Sequence, residues 1–159
     1  MKNRLQQFLS LCLVCSMTLL NAACKKDDKA SPAEQAKVTG ISIALTSAQK
    51  GRQDVSVEFS DLNGLSGKTS PNTITLDANT SYTGTLILED ANQTPVSNVT
   101  TEYDASFHVT NASVTFSKNG QEIQVETTTA TSGSAGTVHV ELRQNGQTQQ
   151  VSFPIMVRD

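Results

Sequence analysis

The 159-residue sequence predicts an all-β protein whose antiparallel strands pack as a sandwich. Apolar and polar residues alternate in about eight to ten short segments, and this period is typical of strands that bury one face. Asn-Gly pairs at 119–120 and 145–146 lie between such segments. This pair favours a two-residue hairpin turn, in which both residues are expected to have positive φ. Short strands separated by frequent turns indicate a sandwich.

Four strands are predicted before residue 90. Residues 41–46 alternate Ile, Ile and Leu with small or polar side chains, and residues 55–60 repeat the pattern with Val, Val and Phe. Residues 74–76 form a shorter third strand, and residues 82–88 place Tyr, Gly, Leu and Leu on one face of a fourth. Each segment has a single apolar face, so each strand is expected to be half buried.

Two hairpins are predicted after residue 110. Each has two alternating segments around an Asn-Gly pair: 114–116 and 123–125 around 119–120, and 138–142 and 151–157 around 145–146. Pro154 has no N–H to donate to a ladder. The last strand, or its half that contains Pro154, is therefore expected at the edge of a sheet.

Tyr82 gives the predicted sandwich a more specific form. It follows Leu76 by six residues, across a turn and at the start of a strand. This spacing resembles the tyrosine corner of fibronectin type III and other immunoglobulin-like domains, where the phenol hydroxyl bonds to backbone in the turn. The alternative is an ordinary half-buried strand tyrosine. The resemblance implies an immunoglobulin/fibronectin III-like β-sandwich over residues 38–159.

Residues 1–23 are predicted to be a lipoprotein signal peptide. Lys2 and Arg4 precede an apolar run at 8–20, and small residues lead to Cys24. Cys24 is therefore expected to be the lipidated, palmitate-bearing first residue of the processed chain. The alternative is a transmembrane helix, but polar residues interrupt the run and charge follows it directly, whereas a span needs about 20 apolar residues.

The cysteines argue against a redox or disulfide-stabilised protein. Cys12 and Cys15 spell C-x-x-C, but they lie inside the predicted signal peptide and would be removed with it. Cys24 is then the only cysteine left. A disulfide framework is excluded, and the domain must depend on its apolar core.

Residues 24–37 are predicted to be a lipidated cysteine followed by a flexible tether. Lys25, Lys26, Asp27 and Asp28 stand at its start, and such charged runs usually remain solvated. The run also resembles the surface-export signal of Bacteroidota lipoproteins, which implies the outer membrane and its outer face. The periplasmic face is the alternative.

The charge balance indicates no nucleic-acid partner. The chain has 12 Lys and Arg against 15 Asp and Glu, a formal net charge of −3. Its basic residues form no cluster that could follow a phosphate backbone. The predicted partner is instead the membrane, reached through the N-terminal lipid.

His108 and His139 are the only histidines, and alternation places both on the polar faces of their strands. Solvated side chains are the expected state. The alternative is a shared metal or haem site, supported by the acidic segment 102–104 and Glu141. Two imidazoles and a carboxylate can bind zinc, provided that the two strands are neighbours. No cofactor is predicted from the remaining residues.

No catalytic set is recognisable. The small-residue segment 132–136 lacks the Gly-x-Ser-x-Gly pattern of a nucleophile elbow, and no acid, base and nucleophile stand in a known arrangement. The sequence predicts a protein that is not an enzyme.

A final likeness extends over the whole domain, in residues 76–88, Thr94-Pro95, Val99-Thr100, Phe107-His108, residues 136–143 and Phe153-Pro154. In these segments the domain resembles a group of small, uncharacterised Bacteroidota surface lipoproteins. The group is often labelled a type 1 periplasmic binding fold, which alternates strands with helices and disagrees with the strand pattern here. Its members accompany TonB-dependent receptors, which implies nutrient or metal acquisition. The chain departs from the group in its reduced acidic run, Glu102 and Asp104, and in Gln144, where a histidine is frequent.

Together these features predict an outer-membrane, surface-exposed lipoprotein that acts as a non-enzymatic binding or accessory module. The resemblance implies nutrient uptake with an outer-membrane receptor. A structural envelope lipoprotein is the alternative, and a metal- or haem-binding lipoprotein is a third hypothesis.

Overall fold

Eleven strands and one short 3-10 turn make up the part of the chain that the computed structural model describes, residues 37–131 and 134–159. In chain order they are β1 (Gly40–Ser47), β2 (Val55–Ser60), β3 (Lys68–Thr69), β4 (Ile74–Asp77), β5 (Ser81–Asp90), β6 (Ser97–Asn98), the turn Thr100–Glu102, β7 (Asp104–Thr110), β8 (Val114–Asn119), β9 (Glu122–Thr127), β10 (Gly136–Gln144) and β11 (Gln147–Arg158). The all-β prediction is confirmed. The predicted signal peptide, Cys24 and the charged run 25–28 lie outside the described residues.

The first sheet has the order β2-β1-β5-β9-β8, with β6 added beside the end of β5. Its neighbouring strands are all antiparallel. In its centre Ile43 lies between Val57 on β2 and Leu86 on β5. The alternating residues of these strands therefore share one apolar face.

The second sheet has the order β3-β11-β10-β7, with β4 also pairing with β11. The pairs β11–β10 and β10–β7 are antiparallel. The short strands β3 and β4 both run parallel to β11 and lie along its other side, one after the other. The sequence did not predict β3 or β6, because a two-residue strand has no period to detect.

One apolar core joins the inner faces of the two sheets. Its largest fully buried side chains come from both sheets and from one loop: Tyr82, Ile43, Leu45, Leu86, Leu88 and Ile123 from the first sheet, Phe153, Ile74, Leu76, Leu142 and Ile155 from the second, and Leu65 from the segment between β2 and β3. Phe59 meets Phe153 edge-on across the core, with ring centroids 6.4 Å apart. Burying each large side chain contributes about 1.5–3 kcal/mol to folding. Within the described residues, no helix has the length and apolar character needed to cross a membrane.

The two predicted hairpin turns differ. Between β10 and β11, Asn145 and Gly146 have φ of 49° and 78°, as expected. Between β8 and β9, Asn119 pairs with Glu122, so Gly120 and Gln121 form the turn. Only Gly120 has positive φ there, which is the pattern of a turn with glycine at its first central position. The prediction of two positive φ values was thus wrong at 119–120.

Pro154 does not lie in an edge strand, so that prediction was wrong. β11 has neighbours on both sides. The carbonyls of Gln150 and Ser152 accept hydrogen bonds from the β3 side of the sheet, and alternation directs the Pro154 nitrogen to the same side. That nitrogen faces the interval between β3 and β4, where no ladder partner requires an N–H.

Tyr82 makes the hydrogen bond that defines a tyrosine corner. Its hydroxyl accepts the backbone N–H of Asp77 at 2.8 Å, and the side chain is 1% exposed. The bond fixes the passage of the chain from β4 in the second sheet to β5 in the first. The alternative of a half-buried tyrosine with no corner is therefore wrong.

Candidate functional site

The two histidines meet on the outer face of the second sheet. β7 and β10 are antiparallel neighbours, and His108 lies directly opposite His139. Their rings are stacked at 18°, with centroids 6.4 Å apart. Val138 and Val140 beside His139 are fully buried, which directs the imidazole outward. The strand adjacency that a shared site requires is present.

β11 adds two polar groups that hold His139 in place. Nδ1 of His139 lies 2.8 Å from Oγ of Ser152 and 3.0 Å from Nε2 of Gln150. Because an amide Nε2 can only donate, Nδ1 is the acceptor, and the neutral ring has its proton on Nε2. The hydroxyl of Ser152 suits either tautomer, because it both donates and accepts.

The two histidines differ in exposure. His108 is exposed, His139 is half buried and Ser152 is 9% exposed. One ring is therefore fixed by neighbours on β11, whereas the other stands in solvent at the outer strand of the sheet. Such a pair can accept a ligand without displacing any core residue.

The carboxylates predicted to assist the histidines have other partners. Glu141 accepts from Arg143 at 2.9 Å, Glu102 accepts from Gln144 at 3.2 Å, and an oxygen of Asp104 lies 3.7 Å from Nζ of Lys118. Across residues 37–131 and 134–159, no three His, Cys, Asp or Glu side chains are grouped to hold a metal ion. A complete three-ligand set is thus not assembled there, and the haem hypothesis stays a prediction.

A groove of about 640 Å³ lies on the outer face of the first sheet. Gly40 forms part of its floor and has no side chain to fill it, while Glu58 and Glu89 stand on the strands to either side. The remaining lining residues include Ser42 and the 38%-exposed Ile87. Sequence reasoning missed this groove because it arises from the pairing of three strands. The only local signal was a glycine at a strand start.

A buried carboxylate was also missed by sequence reasoning. Asp77, 4% exposed, accepts from Nε of Arg158 at 2.7 Å. This hydrogen bond is the main reason that the pKa of Asp77 lies below its ordinary value. Burial acts against this shift, whereas a backbone hydrogen bond and nearby arginine charge add to it. The backbone carbonyl of Asp77 accepts from Thr127 at 2.6 Å. The cluster links both sheets at the tyrosine corner and is a structural clamp.

Tyr103 has a pKa shift in the opposite direction, because here burial is the largest effect. It is 5% exposed, and loss of contact with water is the largest reason that the pKa of its phenol is raised, with the charge of Glu102 adding to it. A phenol that stays protonated in this position acts as a hydrogen-bonding core residue and not as a base.

Comparisons with known proteins give no relative: no family model, no curated protein and no solved structure matches the chain.

Proposed function

We propose that this chain is an outer-membrane lipoprotein, displayed on the cell surface, whose sandwich acts as a non-enzymatic binding or accessory module. The main support is the polar outer face of β7, β10 and β11. It presents imidazole, hydroxyl, amide and carboxylate groups from a three-strand platform, and side chains on regular elements are held more rigidly than side chains on loops.

The chemistry of that face favours binding over catalysis. Ser152 is the hydroxyl nearest to an imidazole, but it meets Nδ1 of a ring whose other partner is an amide. In a nucleophile–base pair the base is instead oriented by a third group on its second nitrogen. Glu141, which could have filled that role, pairs with Arg143.

We further infer that the sandwich is immunoglobulin-like. In such domains one sheet has the strand order A-B-E-D and the other C-F-G. The order β1-β5-β9-β8 corresponds to A-B-E-D, and β7-β10-β11 corresponds to C-F-G. The corner at Tyr82 departs from the common pattern, because Tyr82 lies at the start of β5 (strand B in this correspondence) and not of strand F. An experimental structure with a different strand order would refute the inference.

The anchor is tested by mass spectrometry of the membrane-extracted protein. An acylated N-terminal Cys24 is expected, and Cys24→Ala should release the protein from the membrane. A Cys24→Ala variant that remains with the membrane would refute anchoring by that residue.

Surface display is tested on intact cells with an antibody against the domain. Replacing Lys25, Lys26, Asp27 and Asp28 with Ala should abolish labelling and leave the membrane-bound amount unchanged. Labelling that persists would mean that the charged run is only a spacer.

The accessory role is tested by co-purification from native membranes. An accessory module should retain one specific outer-membrane receptor through detergent extraction, and substitutions on the β7–β10–β11 face should reduce its recovery. Recovery of abundant envelope components alone would favour the structural alternative.

A further inference from the structure

We propose that His108 and His139 form a two-imidazole binding site for copper(II) on the outer face of β7 and β10. The site goes beyond the proposed accessory role and does not depend on the lipid anchor. It rests on the cross-strand register, the stacked rings and the polar partners of His139.

The register supplies two nitrogen ligands at a fixed separation. Residues directly opposite on antiparallel strands have Cβ atoms about 4.5–5.5 Å apart. The His108 and His139 rings stand with centroids 6.4 Å apart and nearly parallel, so a rotation of the exposed His108 side chain can direct one of its nitrogens to an ion that is also bound by His139. No backbone movement is needed, because the two histidines are paired within a continuous ladder of seven residue pairs between β7 and β10.

The partners of His139 suit a metal-binding imidazole. Ligating histidines usually have their second ring nitrogen hydrogen-bonded, which fixes tautomer and orientation. In His139 that nitrogen is Nδ1, held by Ser152 and Gln150. In the other neutral tautomer the proton lies on Nδ1 and is donated in a hydrogen bond to the Ser152 hydroxyl. The Gln150 amide then turns its Oε1, the acceptor, toward Nδ1, and the lone pair of Nε2 becomes available to the ion.

The ligand set selects the metal. Imidazole nitrogens suit copper, nickel and zinc, and divalent affinity rises to a maximum at copper. Structural zinc sites have four ligands and catalytic ones three protein ligands, whereas tetragonal copper(II) accepts two nitrogens with oxygen donors completing the set. On this exposed face water is available for those positions, and Glu141 is the carboxylate that β10 contains. Calcium needs oxygen ligands and is excluded.

The surrounding charges do not oppose a cation. On the same face, Glu141 pairs with Arg143, and Asp104 on β7 lies near Lys118. Arg143 and Lys118 therefore each have an acidic partner, so neither places an unpaired positive charge beside the imidazoles.

The test is calorimetric titration of the purified full chain in detergent with CuCl₂, after thiol alkylation to prevent cysteine from binding copper. One ion per chain is expected, with weaker binding of NiCl₂ and ZnCl₂ and none of CaCl₂. His108→Ala and His139→Ala should each weaken copper binding by about tenfold or more, because the second ligand then no longer acts at high effective concentration. Ser106→Ala, on the same face of β7, is the matched control and should leave binding unchanged.

Electron paramagnetic resonance of the copper-loaded protein should show two imidazole nitrogens, reduced to one in each single variant. Two results would overturn the site. One is a double variant that binds copper as tightly as the unmodified chain. The other is a single variant with full affinity, because that imidazole would then not be a ligand. Far-UV circular dichroism of each variant verifies its fold, and His108→Gln and His139→Gln replace any Ala variant that is not folded.

Discussion

Gly84 is the glycine at which the addition of a single methyl group should destabilise the fold most. It lies in the central strand β5, paired with Leu45 of β1 and Ile123 of β9. A Cβ there would stand 1.9 Å from the carbonyl oxygen of Ala44 and 2.9 Å from Cα of Leu45. Both are backbone atoms, which cannot rotate away, so β1 and β5 would have to separate.

The expected loss can be worked out from two opposing effects. Overpacking a close-packed interior costs about 1–3 kcal/mol, and a clash with backbone belongs at the upper end of that range. Replacing glycine also reduces the entropy of the unfolded chain, which stabilises the fold by about 0.4–1 kcal/mol. Gly84→Ala should therefore lower the free energy of unfolding by about 2 kcal/mol or more. With a urea m-value of about 1–3 kcal/mol/M, a loss of about 2 kcal/mol should lower the midpoint by about 0.7–2 M.

Gly40→Ala is the matched control for this prediction. Gly40 lies in the same sheet, and a Cβ there would meet only Glu89 atoms at 3.4 Å, an ordinary contact distance. It should be neutral or slightly stabilising. The assay is equilibrium urea unfolding followed by far-UV circular dichroism, because the chain has no Trp. Equal midpoints for the two variants would refute the reasoning.

Three further perturbations test other parts of the fold. Tyr82→Phe should lower the free energy of unfolding by about 1–3 kcal/mol in the same assay, because the buried Asp77 N–H loses its acceptor; an unchanged midpoint would show that the corner bond contributes nothing. Asp77→Asn should destabilise at neutral pH. Because Arg158 lowers the pKa of Asp77 below 3.8, that stabilisation is complete above this value and is lost as the pH falls through the lowered pKa; a deficit that stays constant in acid would contradict the assignment. Asn145→Ala, at φ 49°, should cost about 1 kcal/mol, since left-handed backbone disfavours a plain Cβ, whereas Asn119→Ala should cost less; the reverse order would refute the turn assignment.

The sequence predicted those strands whose signal is local. Residues 41–46 and 138–142 show strict alternation over several positions, and they form β1 and β10 as expected. The strands β3 and β6 have two residues each and no period. β3 forms because its backbone pairs with one side of β11. Since β11 lies far later in the chain, the residues around β3 carry no signal of this pairing.

Partners that are distant in sequence could not be predicted in the same way. Asp77 follows a short apolar segment and reads as an ordinary turn residue. Its main partner in the buried position is Arg158, 81 residues later, which donates a hydrogen bond to its carboxylate. The clamp depends on β4 running parallel beside β11, and parallel pairing leaves no local mark in the sequence.

The histidine pair shows that local alternation predicts which face of a strand a side chain occupies, whereas it does not predict the register between strands. Alternation alone placed His108 and His139 on polar faces, because their neighbours are apolar. It could not say whether the faces belong to the same sheet. A shift of β7 by one residue would turn His108 into the core, and a shift by two would leave it diagonal to His139. The register is held by the inward residues Phe107 and Val109, which pack against the core opposite Val140 and Val138. The position of the imidazoles on the surface is thus set by apolar packing on the opposite face of the sheet.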